Sequence, residues 1–190
     1  EWKQFVCDEA SGELRLPRGQ VGHRWQAKAG DWNIRQEDAR TGTRFEAALS
    51  VKAYSEATAQ VYFHDFSEGR QDAGHVREVP VRTVETLSGP VQVCTAFDLL
   101  LAQHGVNRGL GGDWPAGYED GNRPYTPAWQ ERYTGIKGTV AVAFAREWAR
   151  TAERTQGQCM IIIGAGVNHW YHNNLIYRAC ITALVLCGCV

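Results

Sequence analysis

The chain has 190 residues, 44% hydrophobic and 22% charged, which fits one globular domain or a domain with a smaller subdomain. Twenty basic and twenty-one acidic side chains give a formal net charge of −1, so composition indicates no nucleic-acid-binding surface, and an anionic ligand would need a local site. No apolar run reaches the ~18 residues of a membrane-spanning helix, and the six cysteines contain no CxxC pair, which favours free thiols over disulfides.

Residues 1–93 have the pattern of a β-rich segment with long loops. Apolar residues alternate over 13–25 about a Pro-Arg-Gly turn, which predicts a hairpin, and a looser alternation runs through 51–66. Two short strands are predicted over 77–93, with a turn at 87–90. The sequence shows no internal repeat, and we interpret this part as an elaboration rather than a catalytic core.

Residues 94–190 read as helices and one buried strand. A helix is predicted over 95–105, capped by Thr95 and ended by glycine, and a second from Thr126 to the glycine at 135. A third helix is predicted over 138–157. Its apolar face has the members Val140, Phe144, Trp148 and Ala152.

The last part of the chain predicts a buried strand followed by a glycine loop and a buried helix. Residues 160–163 are an apolar run typical of a parallel strand covered on both faces, and the helix is predicted to end at Gly188. Helix, strand, loop and helix in this order form a unit of a three-layer α/β domain. The chain starts and stops in mid-pattern, so we expect an internal fragment of a longer protein.

The loop after the predicted strand is the expected place of a ligand site, because ligands of α/β sheets bind beyond the carboxyl ends of the strands. Gly164 and Gly166 allow positive φ and close approach of a ligand to backbone N–H groups, and a following helix would favour an anion. The polar and aromatic run from 168 to 174 could line a cofactor or substrate, or it could simply cap a helix. The residues alone leave both interpretations open.

A metal site at His169 and His172 is a further alternative, because three-residue spacing can place two imidazoles on one helix face. No nearby Glu or third ligand accompanies them in sequence, so we predict no metal ligand here. A generic nucleotide-binding site would need a third glycine and an acidic ribose partner, neither of which follows at the expected distance.

Several stretches carry a specific resemblance to a known family. They are "FDLLLAQHGVNRGLGGD", "PYTPAWQERYTGIKG" and, above all, "IIIGAGVNHWYH" with "CGCV" downstream. In these residues the chain resembles the alpha, catalytic subunits of the membrane-bound respiratory nitrate reductases, within the dimethyl sulfoxide reductase superfamily of molybdopterin enzymes. The likeness covers most of the chain.

This resemblance implies a fold, an activity and a set of partners. The fold would be an incomplete, molybdopterin-binding three-layer α/β domain, preceded by the β-rich segment. The parent would reduce nitrate to nitrite in anaerobic respiration at molybdenum bis(molybdopterin guanine dinucleotide). Electrons would come from quinol through a haem-bearing membrane gamma subunit, an iron–sulfur beta subunit and an iron–sulfur cluster of the alpha subunit. The complex would be attached to the membrane by these partners, most simply on the cytoplasmic face.

The resemblance also implies which residues contact the cofactor. They are Gly164, Gly166, Asn168, His169, Tyr171 and His172. His169 is the candidate hydrogen-bond donor near the molybdenum or the nitrate. The His and three Cys that the family uses for its iron–sulfur cluster, and the Asp that ligates molybdenum, have no match in these 190 residues, so the fragment alone is expected to be inactive.

Overall fold

The computed structural model describes residues 5–18, 36–65 and 74–189 of the chain. They form small antiparallel sheets and a few helices, and the chain separates into two compact units, Glu1–Pro115 and Ala116–Val190. The strands are β1 Val6–Asp8, β2 Leu14–Arg15, β3 Gln36–Glu37, β4 Arg44–Phe45, β5 Ala47–Ala48, β6 Thr58–His64, β7 Gly74–Pro80, β8 Arg82–Thr86 and β9 Gly89–Val93. The helices are α1 Ala96–Gln103, α2 Glu131–Thr134, α3 Gly138–Thr155, α4 Ala165–Asn168 and α5 Asn173–Leu186.

The change from strands to helices lies between β9 and α1, at the place where the sequence pattern changes. The two compact units divide later, after Pro115, because α1 packs on β7 and so belongs to the first unit. The assignment of 1–93 and 94–190 to separate domains of a longer protein stays a prediction.

The first unit is centred on the antiparallel pair β6 and β7, against which α1 packs. One buried apolar cluster of this unit consists of Phe63, Val79, Val81 and Ala102. Arg77 of β7 is fully buried, and its guanidinium donates to the carbonyl oxygens of Gln103 (3.2 Å) and Asp113 (2.7 Å) and to that of Ala102. A cation at the C-terminal end of α1 satisfies carbonyls that the helix leaves open, and so ties the helix to the sheet.

Two small hairpins in the first unit turn through the same local structure. The Asp8 carbonyl accepts from the Gly12 N–H (2.7 Å), and the Asp38 carbonyl accepts from the Gly42 N–H (2.8 Å). Each aspartate side chain also accepts a backbone N–H two residues further on, and both glycines have φ near +70° (+69° and +72°). The pattern Asp-x-x-Ser/Thr-Gly is therefore a short internal repeat, contrary to our expectation of none.

Of the two hairpins predicted in the first unit, one is confirmed and the other is described only in part. β8 and β9 pair as predicted, with Thr86 opposite Gly89 across the turn. Of the hairpin predicted over 13–25, only the first arm is described, as β2, and it pairs with β1. Its second arm lies outside the described residues.

The predicted helices of the chain are largely confirmed. Thr95 caps α1 by accepting the Asp98 N–H at its hydroxyl (3.0 Å), and Gly105 follows the helix with φ +74°. α3 and α5 also form over the predicted stretches. The helix predicted from Thr126 forms only in its last turn, α2. The Thr126 hydroxyl accepts the Trp129 N–H (3.0 Å) as a cap does, but residues 126–130 form turns rather than a continuous helix.

The buried parallel strand predicted at 160–163 is wrong for this structure. These residues have no regular secondary structure, and the side chains of Met160 and Ile162 are 74% and 88% exposed. An apolar run becomes a strand only when another strand supplies its hydrogen bonds, and no described strand pairs with it. α5 is likewise a helix without a fully buried side chain, so the described residues do not form the predicted three-layer arrangement.

Candidate functional site

The candidate site is a short segment between α3 and α5 in the second unit. Gly157, with φ +85°, ends α3, an irregular stretch leads to Gly164, and the four-residue helix α4 follows. A turn over 169–172 then leads into α5. The predicted site residues are therefore contiguous on one exposed turn-helix-turn segment, and α4 intervenes between the glycines and the longer helix.

Gly164 and Gly166 leave open space rather than adopting a special conformation. Gly164 precedes α4 with φ −107° and ψ −175°, an extended backbone that other residues adopt, and Gly166 lies within the helix. A Cβ atom added to either glycine would meet no heavy atom within 4 Å. The positive φ that these glycines would allow is not used here, while the expectation that a ligand can approach the backbone is compatible with the geometry.

Asn168 is partly occupied by contacts within the segment. Its side-chain oxygen accepts a hydrogen bond from the Tyr177 hydroxyl, and its carbonyl accepts from the Asn173 side-chain amide (2.8 Å). Asn173 and Tyr177 are four residues apart on α5, so both reach back over the same turn. These two hydrogen bonds connect the end of α4 to the first turns of α5. We did not predict the contact of Tyr177, although its four-residue spacing from Asn173 places both side chains on the same face of α5.

His169 ends α4. Its backbone N–H donates a hydrogen bond to the Gly166 carbonyl (3.4 Å) within the turn, and the residue is exposed. The next residue, Trp170, donates its N–H to Val167 and keeps 66% of its surface exposed. The imidazole and the indole are thus held on a short, hydrogen-bonded turn, where both can contact a ligand.

Tyr171 and His172 form a contacting ring pair. Their ring centroids lie 3.9 Å apart at an interplanar angle of 53°, and Tyr171 is 88% exposed. His172 has φ +58° and ψ +29°, the left-handed conformation, immediately before α5. A residue other than glycine in this region costs free energy and is often found at ligand sites, so the strained turn favours a functional interpretation of the pair.

Among the described residues, His169 and His172 find no further side chains with which to form a metal centre. Across 5–18, 36–65 and 74–189, no group of three or more His, Cys, Asp or Glu side chains could hold a metal ion. In the described part of the chain, His169 and His172 therefore remain an exposed pair on one turn. Exposed imidazole rings can form hydrogen bonds and stacking contacts.

Comparison with known proteins matches the whole chain to one part of longer polypeptides. No family model matches the chain. The nitrate reductase alpha chain of Bacillus subtilis is 39% identical over 190 residues, which are 99% of this chain and 15% of that protein. The chain is homologous to one segment of nitrate reductase alpha chains.

Two further relatives give the same result. The respiratory nitrate reductase 1 alpha chain of Escherichia coli is 39% identical over 199 residues, covering 100% of this chain and 16% of that protein. The nitrate reductase alpha subunit of Mycobacterium tuberculosis is 36% identical over 190 residues, with 98% and 15% covered. The chain thus spans about one sixth of the length of the curated relatives that it matches, and the resemblance seen in the sequence is confirmed.

Proposed function

We propose that the chain is part of the catalytic alpha subunit of a respiratory nitrate reductase, an oxidoreductase that converts nitrate to nitrite. The observation that carries this proposal is the homology along 98–100% of the chain to proteins named nitrate reductase alpha chain or subunit. Because the chain spans only 15–16% of their length, the activity belongs to the complete subunit. The 190 residues alone are expected to be inactive.

The cofactor of this proposal is molybdenum bis(molybdopterin guanine dinucleotide), and the donors of the segment 164–172 fit such a group. Gly164 and Gly166 leave room beside the backbone, as a pyrophosphate or a pterin requires. Exposed aromatic rings offer flat surfaces, and the amide of Asn168 can donate through its nitrogen while its oxygen accepts from Tyr177. When bound, the molybdenum centre supplies the two-electron chemistry that reduces nitrate.

His169 has a separate role in the proposal. Its imidazole is exposed on the turn, and its backbone is held by α4, so the ring can donate to an oxygen on which negative charge develops. A fixed donor of this kind stabilises the transition state more than the ground state, because the charge is larger there. His169 thus positions nitrate or a cofactor oxygen without ligating the metal. Tyr171 and His172 would contact the cofactor from the adjoining turn.

The partners of the parent follow from the same proposal. An iron–sulfur beta subunit and a haem-containing gamma subunit would deliver electrons from quinol, and an iron–sulfur cluster of the alpha subunit would have its ligands outside these residues. Within the described ranges, none of the helices combines the length and the apolar character needed to cross a bilayer. As part of the same proposal, the partner subunits would attach the complex to the membrane, on its cytoplasmic face.

The two open glycines give a direct test. In the full-length enzyme, Gly164→Val and Gly166→Val place side chains where an added Cβ atom meets no described atom within 4 Å, so we expect them to displace whatever group occupies this space. We expect both variants to lose most of their molybdenum and guanine nucleotide, and with them nitrate reduction. Gly117→Val is the matched control, since Gly117 is equally open and lies in the same unit.

His169→Ala is the second arm of this experiment. Loss of a donor to developing charge typically lowers kcat about 100-fold or more, so we expect that fall in nitrate turnover with molybdenum content kept. His104→Ala, an exposed histidine of the other unit, should leave both values unchanged. If the glycine variants retain cofactor and turnover like Gly117→Val, the segment is a cofactor-free helix cap, the alternative left open by the sequence, and the site proposal is wrong.

A further inference from the structure

Three of the six free cysteines lie at the meeting point of α3 and α5. Cys159 follows α3, while Cys187 and Cys189 follow α5, and all three are half-buried. The two helix ends touch at Gly157, where an added Cβ atom would lie 2.0 Å from the Gly188 carbonyl oxygen and 3.5 Å from the Cys189 Cα. The backbone at these ends therefore leaves no room for a side chain at Gly157.

Short hydrogen-bonded turns hold the two cysteines in place. The Cys159 N–H donates to the Gly157 carbonyl (2.9 Å), and the Cys189 N–H donates to the Leu184 carbonyl (2.9 Å). Burial raises the pKa of the Cys159 thiol, and the neighbouring thiols of Cys189 and Cys187 raise it further. Of these two thiols, Cys189 has the larger effect on the pKa of Cys159. Contacts of backbone and of side chains thus agree that Cys159 and Cys189 are neighbours.

We propose that Cys159 and Cys189 are a site of oxidative modification, at which a hydroperoxide converts the two thiols into a disulfide. This inference is independent of the nitrate chemistry. Cys189 is preferred to Cys187 as the partner because the Cys189 Cα is among the atoms nearest to a Cβ built at Gly157. Cys180 lies inside α5, away from this meeting point.

The reaction balances in two steps. In the first, the Cys189 sulfur attacks hydrogen peroxide, the O–O bond breaks, and a sulfenic acid and one water form. In the second, the Cys159 sulfur displaces the sulfenic oxygen, the S–S bond forms, and the thiol proton leaves with that oxygen as a second water. Two thiols lose two electrons, and the peroxide gains them. The raised pKa of the Cys159 thiol disfavours its thiolate, the nucleophilic form, so Cys159 is the resolving thiol in this scheme.

The disulfide would join the two ends of the candidate site. Residues 164–172 lie between Cys159 and Cys189, so the bond closes a loop that contains the open glycines and both histidines. A cross-link restricts the conformations of the loop it closes. Oxidation at this place would therefore limit how far the two helix ends can separate, and reduction would remove this limit.

The test uses the full-length enzyme in its natural assembly, treated with increasing hydrogen peroxide and then alkylated. Cleavage after Arg154 and Arg178 places Cys159 in one peptide and Cys180, Cys187 and Cys189 in another, so mass spectrometry detects the cross-link, and fragment ions locate it. We expect a Cys159–Cys189 bond at peroxide concentrations that leave Cys180 alkylatable. Dithiothreitol should reverse it.

Matched variants sharpen this result. Cys159→Ser and Cys189→Ser should each abolish the cross-linked peptide, whereas Cys180→Ser should leave its yield unchanged. The proposal is overturned if the wild-type enzyme forms a Cys187–Cys189 bond with Cys159 still alkylatable. It is also overturned if Cys159 oxidises to a sulfinic acid while Cys189 stays free. Because the wild-type measurement needs no variant, a variant that fails to fold does not remove the test.

Discussion

Asp98 is the buried charge on which the first unit depends most. It is fully buried and accepts hydrogen bonds from the Ser50 hydroxyl (2.6 Å), the Val51 N–H (3.1 Å), the Thr95 hydroxyl (2.8 Å) and the Arg108 guanidinium (2.7 Å). These partners come from three separate stretches of the chain. One carboxylate therefore connects the start of α1, the segment after β5 and the loop after α1.

We expect Asp98→Asn to weaken α1 specifically. An asparagine has only one side-chain oxygen, so it cannot accept hydrogen bonds at both positions where Asp98 does. The largely buried Arg108 also loses its counter-charge. Loss of a hydrogen bond to a charged group lowers the free energy of unfolding by about 1.5–3 kcal/mol. Backbone amides of α1 in the full-length subunit should then exchange with deuterium roughly 10- to 150-fold faster, as measured by mass spectrometry. Glu85→Gln, at an exposed position of β8, is the control and should leave exchange in α1 unchanged.

The same carboxylate predicts a pH dependence of this unit. Burial raises the pKa of Asp98, but the hydrogen bonds from Ser50, Arg108, Thr95 and Val51 outweigh it and lower the pKa below its usual value. The stabilisation is therefore fully present above the unfolded pKa of about 3.9 and is lost as pH falls through the lower folded value. Protection of α1 should be constant from pH 7 to about 4.5 and fall below that range, and Asp98→Asn should remove this fall.

At the scale of elements, helices were predictable where local signals close their own hydrogen bonds. Thr95 and Gly105 marked α1 correctly because a cap and a left-handed glycine act within a few residues. The run at 160–163 had an equally strong pattern, yet a strand depends on a partner elsewhere in the chain. The apolar pattern therefore indicates that residues 160–163 are suited to a buried strand, but it does not show that a partner strand is present.

The role of the candidate site stays a prediction, and its local geometry is what can be compared with the sequence. Its six residues proved contiguous on one segment, as sequence proximity requires. The open space at Gly164 and Gly166 depends on which atoms stay away from them, a property that one sequence does not carry. The contact between Asn168 and Tyr177 depends on how the turn before α5 folds back.

Gly112 gives the element-scale prediction. It has φ +115°, and an added Cβ would lie 2.5 Å from the Val76 carbonyl oxygen and 2.7 Å from the Arg77 Cα, so Gly112→Ala must strain or shift the backbone beside β7. Backbone strain of this kind costs about 1–3 kcal/mol. We expect faster amide exchange in β7 of the full-length subunit, with the Arg77 contacts to α1 weakened.

The control for this change is another glycine. Gly117→Ala adds the same methyl group where no atom lies within 4 Å and φ is not left-handed, so exchange in the second unit should be unaltered. Unchanged exchange in β7 of Gly112→Ala would mean that the loop over 110–113 does not lie against this strand, in contradiction to the bridge between Arg77 and Gly112.

At the scale of the whole molecule, the second unit exposes much apolar surface. Its exposed large apolar side chains include Val140, Phe144, Met160, Ile162, Leu175, Ile181, Val185 and Leu186. Apolar patches of this extent indicate an interaction surface or a tendency to aggregate. We infer that the rest of the alpha subunit, the ~85% of the relatives' length that the chain does not match, covers them.

Phe144→Ala separates the two environments of α3. In the 190-residue chain the side chain is 66% exposed, so its removal should leave the free energy of unfolding within about 0.5 kcal/mol and reduce aggregation in light scattering. In the full-length subunit a covered phenylalanine would be lost, which costs about 3–5 kcal/mol and should lower the yield of folded subunit.

Arg150→Ala on the charged face of the same helix is the control, and it should be close to neutral in both forms. The informative quantity is the difference between the effect of Phe144→Ala in the full-length subunit and its effect in the 190-residue chain. The helix propensity of the new alanine contributes equally to both effects and cancels in this difference. If Phe144→Ala is as mild in the full-length subunit as in the 190 residues, this face of α3 meets water in the assembled enzyme. Its apolar side chains would then need a different partner from the rest of the alpha chain.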